Sequence, residues 1–150
     1  MSLKNALVLI LVWSIIFNII YISSHLVVIS GQGLSWYWVE TARNDQEWAE
    51  GLMNRSALAA DRGMLFLFPN PEQRTFWMKN TLLPLDILFL DQNKKVISIV
   101  NHANPCADPT GHMCARYVST LPAKYVLELK ADQSKERQIL AGSQAYWILN

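Results

Sequence analysis

Arg62, Trp77, Lys79, Asn80 and Asp86 are the residues whose types and spacing invite chemistry. In an extended chain Phe76, Met78 and Asn80 point one way and Trp77, Lys79 and Thr81 the other. Asp86 follows a few residues on, after Pro84. Two arrangements are compatible with this pattern. In one, Lys79 and Asp86 form an ion pair beside a core strand, and Trp77 only packs. In the other, the segment lines a ligand groove: Trp77 offers a flat face, Asn80 a donor and an acceptor, and Lys79 a cation for an anionic group. In an enzyme, Lys79 and Asp86 would act as an acid–base pair. Arg62 stands before Gly63 at the start of an apolar run and can hold a carboxylate bidentately. Asp86 or Glu128 is its simplest partner within the fold. Gly63 then supplies a backbone geometry that a side chain would forbid.

His102, Cys106, His112 and Cys114 make a two-cysteine, two-histidine set. Zinc sites usually carry tight C-x-x-C or H-x-x-x-H pairs, whereas the spacings here are four, six and two. Outside the cytoplasm two cysteines usually oxidise. A Cys106–Cys114 disulfide is therefore the first expectation, with free thiols and a metal site as the alternatives. A Cys–His nucleophile lacks a base oriented by a third group. The sequence has no GxSxG, HExxH, Gly-rich phosphate loop or EF-hand pattern. It implies no cofactor.

The elements that must position these residues are mostly strands. Ser35–Ala42 carries Trp36 and Trp38 and reads as a strand. Asn44 with Glu47 three residues on resembles a capping box and opens a short helix over 45–53. Met64–Phe68 is an apolar run stopped by Pro69, which suits a strand buried on both faces. Thr75–Leu82 alternates as a strand. Leu85–Leu90 and Lys95–Val100, joined by the polar Asp91–Lys94, form a β-hairpin. Residues 101–118 form a loop. Tyr125–Leu129 is a strand, Asp132–Leu140 a helix with Gly142 as its C-cap candidate, and Ala145–Leu149 the last strand. Most neighbouring strands can pair antiparallel. The expected fold is mainly β: a small barrel or sandwich of about seven strands with two short peripheral helices.

The strings Gly51-Leu52-Met53, Arg62-Gly63-Met64-Leu65-Phe66, Phe76-Trp77-Met78-Lys79-Asn80-Thr81, Pro84-Leu85-Asp86 and Ala123-Lys124-Tyr125-Val126-Leu127-Glu128-Leu129 together resemble the domain of unknown function family 192. The resemblance runs over roughly residues 37–149. It implies a compact β-rich domain, often behind a signal or anchor, and no established activity. It also implies a cysteine pair near Cys106 and Cys114, without the histidines. Family members often place a Gly-Asp pair before the last strand. Here Gly142 is followed by Ser143 and Gln144, so any role for that acid is absent.

The N-terminus is the strongest apolar feature. From Ala6 to Ile22 no residue is charged, and Leu26–Ile29 extends the run past Ser23, Ser24 and His25. A bilayer core needs roughly 20 mostly apolar residues as a helix. Residues 6–29 are therefore expected to be one transmembrane anchor. A cleaved signal peptide, ending at Val28 and Ser30 before Gly31, is the competing reading. Lys4 precedes the segment and no charge follows until Glu40, so 1–5 falls in the cytoplasm and the rest outside. Residues 30–34 are then a link and 35–150 the domain.

Without Lys4, that domain carries 12 basic and 12 acidic residues. Nucleic-acid binders usually show a basic patch or stripe, and no basic run exists here. The expected partners are the membrane, through residues 6–29, and an envelope protein or glycan. The expected function is that of a membrane-anchored extracytoplasmic binding or accessory module. The alternative is an enzyme on envelope material, using Lys79 and Asp86.

Overall fold

The structure, a computed structural model, describes residues 26–30, 33–106, 108 and 110–147. Among the described residues nine strands and two short helices follow one another: β1 (Leu26–Ser30), β2 (Leu34–Ala42), α1 (Asp45–Glu50), β3 (Arg62–Glu72), β4 (Thr75–Trp77), β5 (Leu85–Leu90), β6 (Val96–Ala103), β7 (Arg116–Val118), β8 (Ala123–Lys130), α2 (Gln133–Glu136) and β9 (Gln144–Tyr146). Seven strands form one curled, half-barrel sheet in the order β6-β5-β8-β3-β2-β1-β9. β4 and β7 form a separate two-stranded ribbon. The edges of the large sheet meet at one end, where Lys95 bridges Gln144 and the Val96 N–H donates to the Ser143 carbonyl at 2.9 Å.

The central strands are apolar on both sides, so each contributes to two cores. Residues of one parity, including Leu65, Leu88, Leu90, Leu127 and Leu129, join Val27, Ile29, Tyr37 and Val39. Those of the other parity, including Met64, Phe66, Phe68, Ile87, Phe89 and Val126, join Leu52, Met78 and Leu85. All six residues of β5 are buried. Close approach of β3 to β8 depends on Gly63. A Cβ there would lie 2.5 Å from the Glu128 carbonyl oxygen and 2.8 Å from Leu129 Cδ2. The restriction at Gly63 is thus steric, as expected from its place before the apolar run.

Several expectations are corrected. Leu26–Ile29 is not the end of an anchor, and 30–34 is not a link from it. Val27 and Ile29 are fully buried in the sheet, and β1 pairs antiparallel with both β2 and β9. Its β-branched residues suit a strand, and a short apolar run does not distinguish a strand from a helix segment. Residues 6–25 lie outside the described residues. Among the described residues no helix is long and apolar enough to cross a membrane.

β2 and β3 pair in parallel, Val39 facing Gly63, because α1 and the following loop carry the chain back across the sheet. The expected strand Thr75–Leu82 stops at Trp77, since Asn80 adopts φ 53° and turns the chain. The expected loop 101–118 instead contains the end of β6 and all of β7. The helices are shorter than expected. α1 is capped by Asn44, whose side chain accepts from the Glu47 N–H at 3.0 Å. Glu47 returns its carboxylate to the Arg43 N–H rather than to that of Asn44. α2 ends at Glu136 with Arg137 as its C-cap, well before Gly142. The last strand covers Gln144–Tyr146, and residues 148 and 149 of the expected one lie outside the described residues.

Candidate functional site

Asp86 is the most enclosed of the residues the sequence singles out. It is fully buried and receives four hydrogen bonds. His102 N (2.9 Å) and Asp132 N (3.1 Å) donate to Oδ1, and Ser134 N (2.8 Å) and Oγ (2.5 Å) to Oδ2. His102 and Asp132 both have positive φ, at 53° and 69°. Their side chains also meet, Nδ1 to Oδ2 at 3.0 Å. Asp86 therefore ties β6 and the start of α2 to β5, and a carboxylate with this many donors offsets the cost of its own burial. Neither Lys79 nor Arg62 is among its partners, so the expected pairs with Asp86 do not form.

Lys79 instead lies over Trp77, its Nζ 5.2 Å from the ring centroid, while Arg116 of β7 stacks at 4.2 Å. The shared side of Trp77 and Lys79 is as the alternation implies. It is occupied, however, by the loop that Cys106 and Cys114 close. The two cysteines form a disulfide with Cα atoms 5.6 Å apart. Gly111, at φ 77°, lies so close that a Cβ would be 2.7 Å from Trp77 Cζ3 and 3.0 Å from Lys79 Cδ. Inside this loop Asp108 accepts from Met113 N, Thr110 N and Thr110 Oγ1, which hold its carboxyl down at about 2. His102 is paired with Asp132 and the sulfurs with each other, so the four-residue metal set does not assemble. Asn80 contributes its backbone carbonyl to the Asn54 N–H at 2.8 Å.

Arg62 is exposed on the rim of an open depression of about 670 Å³, with Trp38, Glu40, Thr41, Arg55 and Leu58 among its lining residues. There Arg55 grips Glu40 with both terminal nitrogens, Nη2 to Oε2 at 2.7 Å. That grip lowers the Glu40 carboxyl, with a smaller contribution from Arg62. Arg62 thus acts on Glu40 and not on Asp86 or Glu128.

Glu128, which the sequence offers only as an ion-pair partner for Arg62, is the site residue that sequence reasoning missed. It lies mid-strand in β8, opposite Met64 of β3 and Ile87 of β5, with 5% of its surface exposed. Its Oε2 is buried without a hydrogen-bond partner. Burial pushes its carboxyl up from 4.5 to about 8, and Arg55 pulls it only partly back. An acid between Leu127 and Leu129 was the available signal.

Glu128 closes one wall of a small cleft of about 30 Å³ lined also by Trp48, Glu50, Gly51, Met53, Phe66, Phe76, Trp77 and Thr81. That is room for one or two waters. The aromatic walls are fixed by their own contacts. Trp48 Nε1 donates to the Ala42 carbonyl at 3.0 Å, and Phe66 meets Phe76 edge-on at 4.9 Å. Gly51, at φ 49°, approaches the acid head, and a Cβ there would lie 3.2 Å from Phe66 Cζ and 3.8 Å from Glu128 Oε2.

A family profile described as Uncharacterized ACR, DUF192, matches residues 25–147. The chain belongs to the DUF192 family. Two solved structures are similar to this DUF192 chain. One, a protein of unknown function from Novosphingobium aromaticivorans, is 32% identical with a TM-score of 0.75, covering 81% of this chain and 84% of its own. The other, from Sinorhizobium meliloti 1021 and put forward as a transcription regulator, is 33% identical with a TM-score of 0.74, covering 81% of this chain and 91% of its own. No curated protein matches. Four of the five strings that carry the DUF192 resemblance supply the cleft: Gly51–Met53, Phe66, Phe76–Trp77 with Thr81, and Glu128. The fifth supplies Asp86.

The raised Glu128 carboxyl has a measurable consequence. Below pH 4.5 it is protonated in both folded and unfolded chains, and the folded state is not penalised. Between 4.5 and about 8 the unfolded chain sheds the proton while the folded one keeps it. Stability is therefore lost as pH rises through this window, by roughly 3–5 kcal/mol in all. Glu128→Gln should remove that loss. Urea unfolding of both proteins at pH 5 and pH 8 should give a variant clearly more stable than wild type at pH 8, with the advantage gone at pH 5. An advantage that is the same at both pH values would contradict the assignment.

Proposed function

We propose that this DUF192 chain is a binding module that takes one small group of a larger envelope ligand or protein into the Glu128 cleft. The observation that carries the reading is an unpaired, buried acid facing an aromatic-walled cleft that four separate sequence strings build. A polar group left unsatisfied in a fold costs about 1–3 kcal/mol. A site that binds is one place where such a cost is repaid. The competing enzyme reading relied on Lys79 and Asp86. With Asp86 enclosed by four donors and Lys79 stacked on Trp77, the geometry favours it less. The Glu128 cleft itself presents two acids, Glu50 and Glu128, and the Thr81 hydroxyl, with no serine, cysteine or histidine among its described lining residues.

The same proposal places the domain outside the cytoplasm on an N-terminal anchor. Support comes from Lys4 ahead of the uncharged run Ala6–Ile22 and from the Cys106–Cys114 disulfide, a bond that persists in oxidising compartments.

Two measurements test these parts separately. Small amines, alcohols and amides, titrated into the labelled full chain in detergent micelles, should shift the Gly51–Met53 amides and the Trp48 and Trp77 indole signals. Shifts confined to the Arg55–Arg62 depression, or none, would overturn the site. For compartment, alkaline phosphatase fused after Asn150 should be active. An inactive fusion beside an active cytoplasmic reporter at the same position would reverse the orientation.

A further inference from the structure

Resting on the binding reading above, we propose that the group the cleft takes is a primary ammonium at the end of an unbranched alkyl chain, as on a lysine side chain of a partner polypeptide. Four observations point there. The charged residues lining the cleft are both acidic, Glu50 and Glu128, and neither lysine nor arginine lines it. Trp48, Phe66, Phe76 and Trp77 supply π faces and edges, and aromatic faces attract cations. The volume, about 30 Å³, is nearer to that of an ammonium and its adjoining methylene than to that of a trimethylated head. Finally, there are acceptors for two of an ammonium's three donors. Glu128 Oε2 is unpartnered. Thr81 is 5% exposed, and its Oγ1 spends its proton on the Lys79 carbonyl at 3.3 Å, which leaves lone pairs free.

The cleft also receives the alkyl chain. Leu52 and Met53 line the cleft beside the aromatic rings, a surface for methylenes. An ethanolamine lipid head would instead bring a phosphate within two carbons of the ammonium. That phosphate would sit at the mouth beside Glu50 with no cation lining the cleft to receive it. Oε2 has almost no exposed surface, and a Cβ at Gly51 would lie 3.8 Å from it, so contact with the ammonium requires the cleft to open locally there.

Binding moves a proton. The carboxyl holds its proton when the cleft is empty and releases it to solvent as the ammonium arrives, leaving an ion pair. No covalent bond changes otherwise. The charged groups around Glu128 are Glu50, at the end of α1, and Arg55, in the loop that follows. β3 and β5 flank it with the apolar Met64 and Ile87, and β4 with Phe76 and Trp77. Arg55 is held by Glu40 and does not take the place of the ligand. Because the proton must leave, affinity rises about tenfold per pH unit up to about 8 and levels off above it.

The test uses the full chain in detergent micelles, with Nα-acetyl-lysine N-methylamide as probe. Calorimetry at pH 7 in two buffers of different ionisation enthalpy should show close to one proton released per amine bound. The isosteric 6-hydroxynorleucine amide, the Nζ-acetylated amide and the Nζ-trimethylated amide should each bind at least tenfold more weakly. Glu128→Gln should weaken the amine at least tenfold and abolish the proton release, and Thr81→Val offers a second variant if that one misfolds. Equal binding of the hydroxyl analogue, with shifts still at Gly51–Met53, would overturn the ammonium and leave the binding reading standing. No shifts from any compound would overturn both. Binding to phosphatidylethanolamine vesicles but not to the lysine amide would overturn the lysine-like source.

Discussion

Placing the Glu128 carboxyl between Met64 and Ile87 takes it out of water and gives its Oε2 no hydrogen bond in return. Desolvation of this kind favours the neutral acid, and the carboxyl accordingly holds its proton to about pH 8. The surrounding structure is arranged around that head group. Gly63 has no side chain, so β3 can approach the Glu128 backbone. Gly51 has none either, so the turn after α1 can pack against the Phe66 ring, where a Cβ would lie 3.2 Å from Cζ and 3.8 Å from Glu128 Oε2. The rings of Trp48, Phe66, Phe76 and Trp77 complete the enclosure. A sheet whose strands carried only apolar residues on this side would be simpler to fold. The acid therefore marks a departure from local consistency, and such departures concentrate at functional sites.

The contrast with Asp86 shows what a structural acid looks like in the same sheet. Asp86 sits one strand away, directed to the opposite core, and its two oxygens accept from three backbone amides and a hydroxyl. It holds His102 and Asp132, two residues in the left-handed region, and so converts local backbone strain into a fixed junction of β5, β6 and α2. Both acids are buried. The difference is in their partners, and it separates a carboxylate that builds the fold from one that is left available.

Much of the architecture was legible in the sequence. The Leu85–Val100 hairpin, the buried strand after Gly63, the Asn44 cap and the cysteine pair each depend on local chemistry that a single segment displays. What was hidden depends on distant partners. Leu26–Ile29 reads as a continuation of the apolar N-terminus, and only pairing with Trp36–Trp38 and Ala145–Tyr146 makes it a strand. The parallel match of Val39 with Gly63 leaves no local mark either. Trp77 and Lys79 were correctly put on one side, but the Gly111 loop that covers them comes from more than thirty residues away. Glu128 was read only as a structural partner for Arg62, because the apolar pattern of its strand masks a single acid. Its significance lies in missing partners, which no residue string can display.

The central claim is that the Glu128 carboxyl is protonated near neutral pH because it is buried without a partner. A carbon-13 NMR titration of the glutamate side-chain carboxyls, with Glu128→Gln to assign the signal, measures this directly. The account predicts that the Glu128 resonance moves with a midpoint near 8. A midpoint near 4.5, the ordinary value, would mean that water or a cation already reaches the carboxylate, and the account of the cleft would fail.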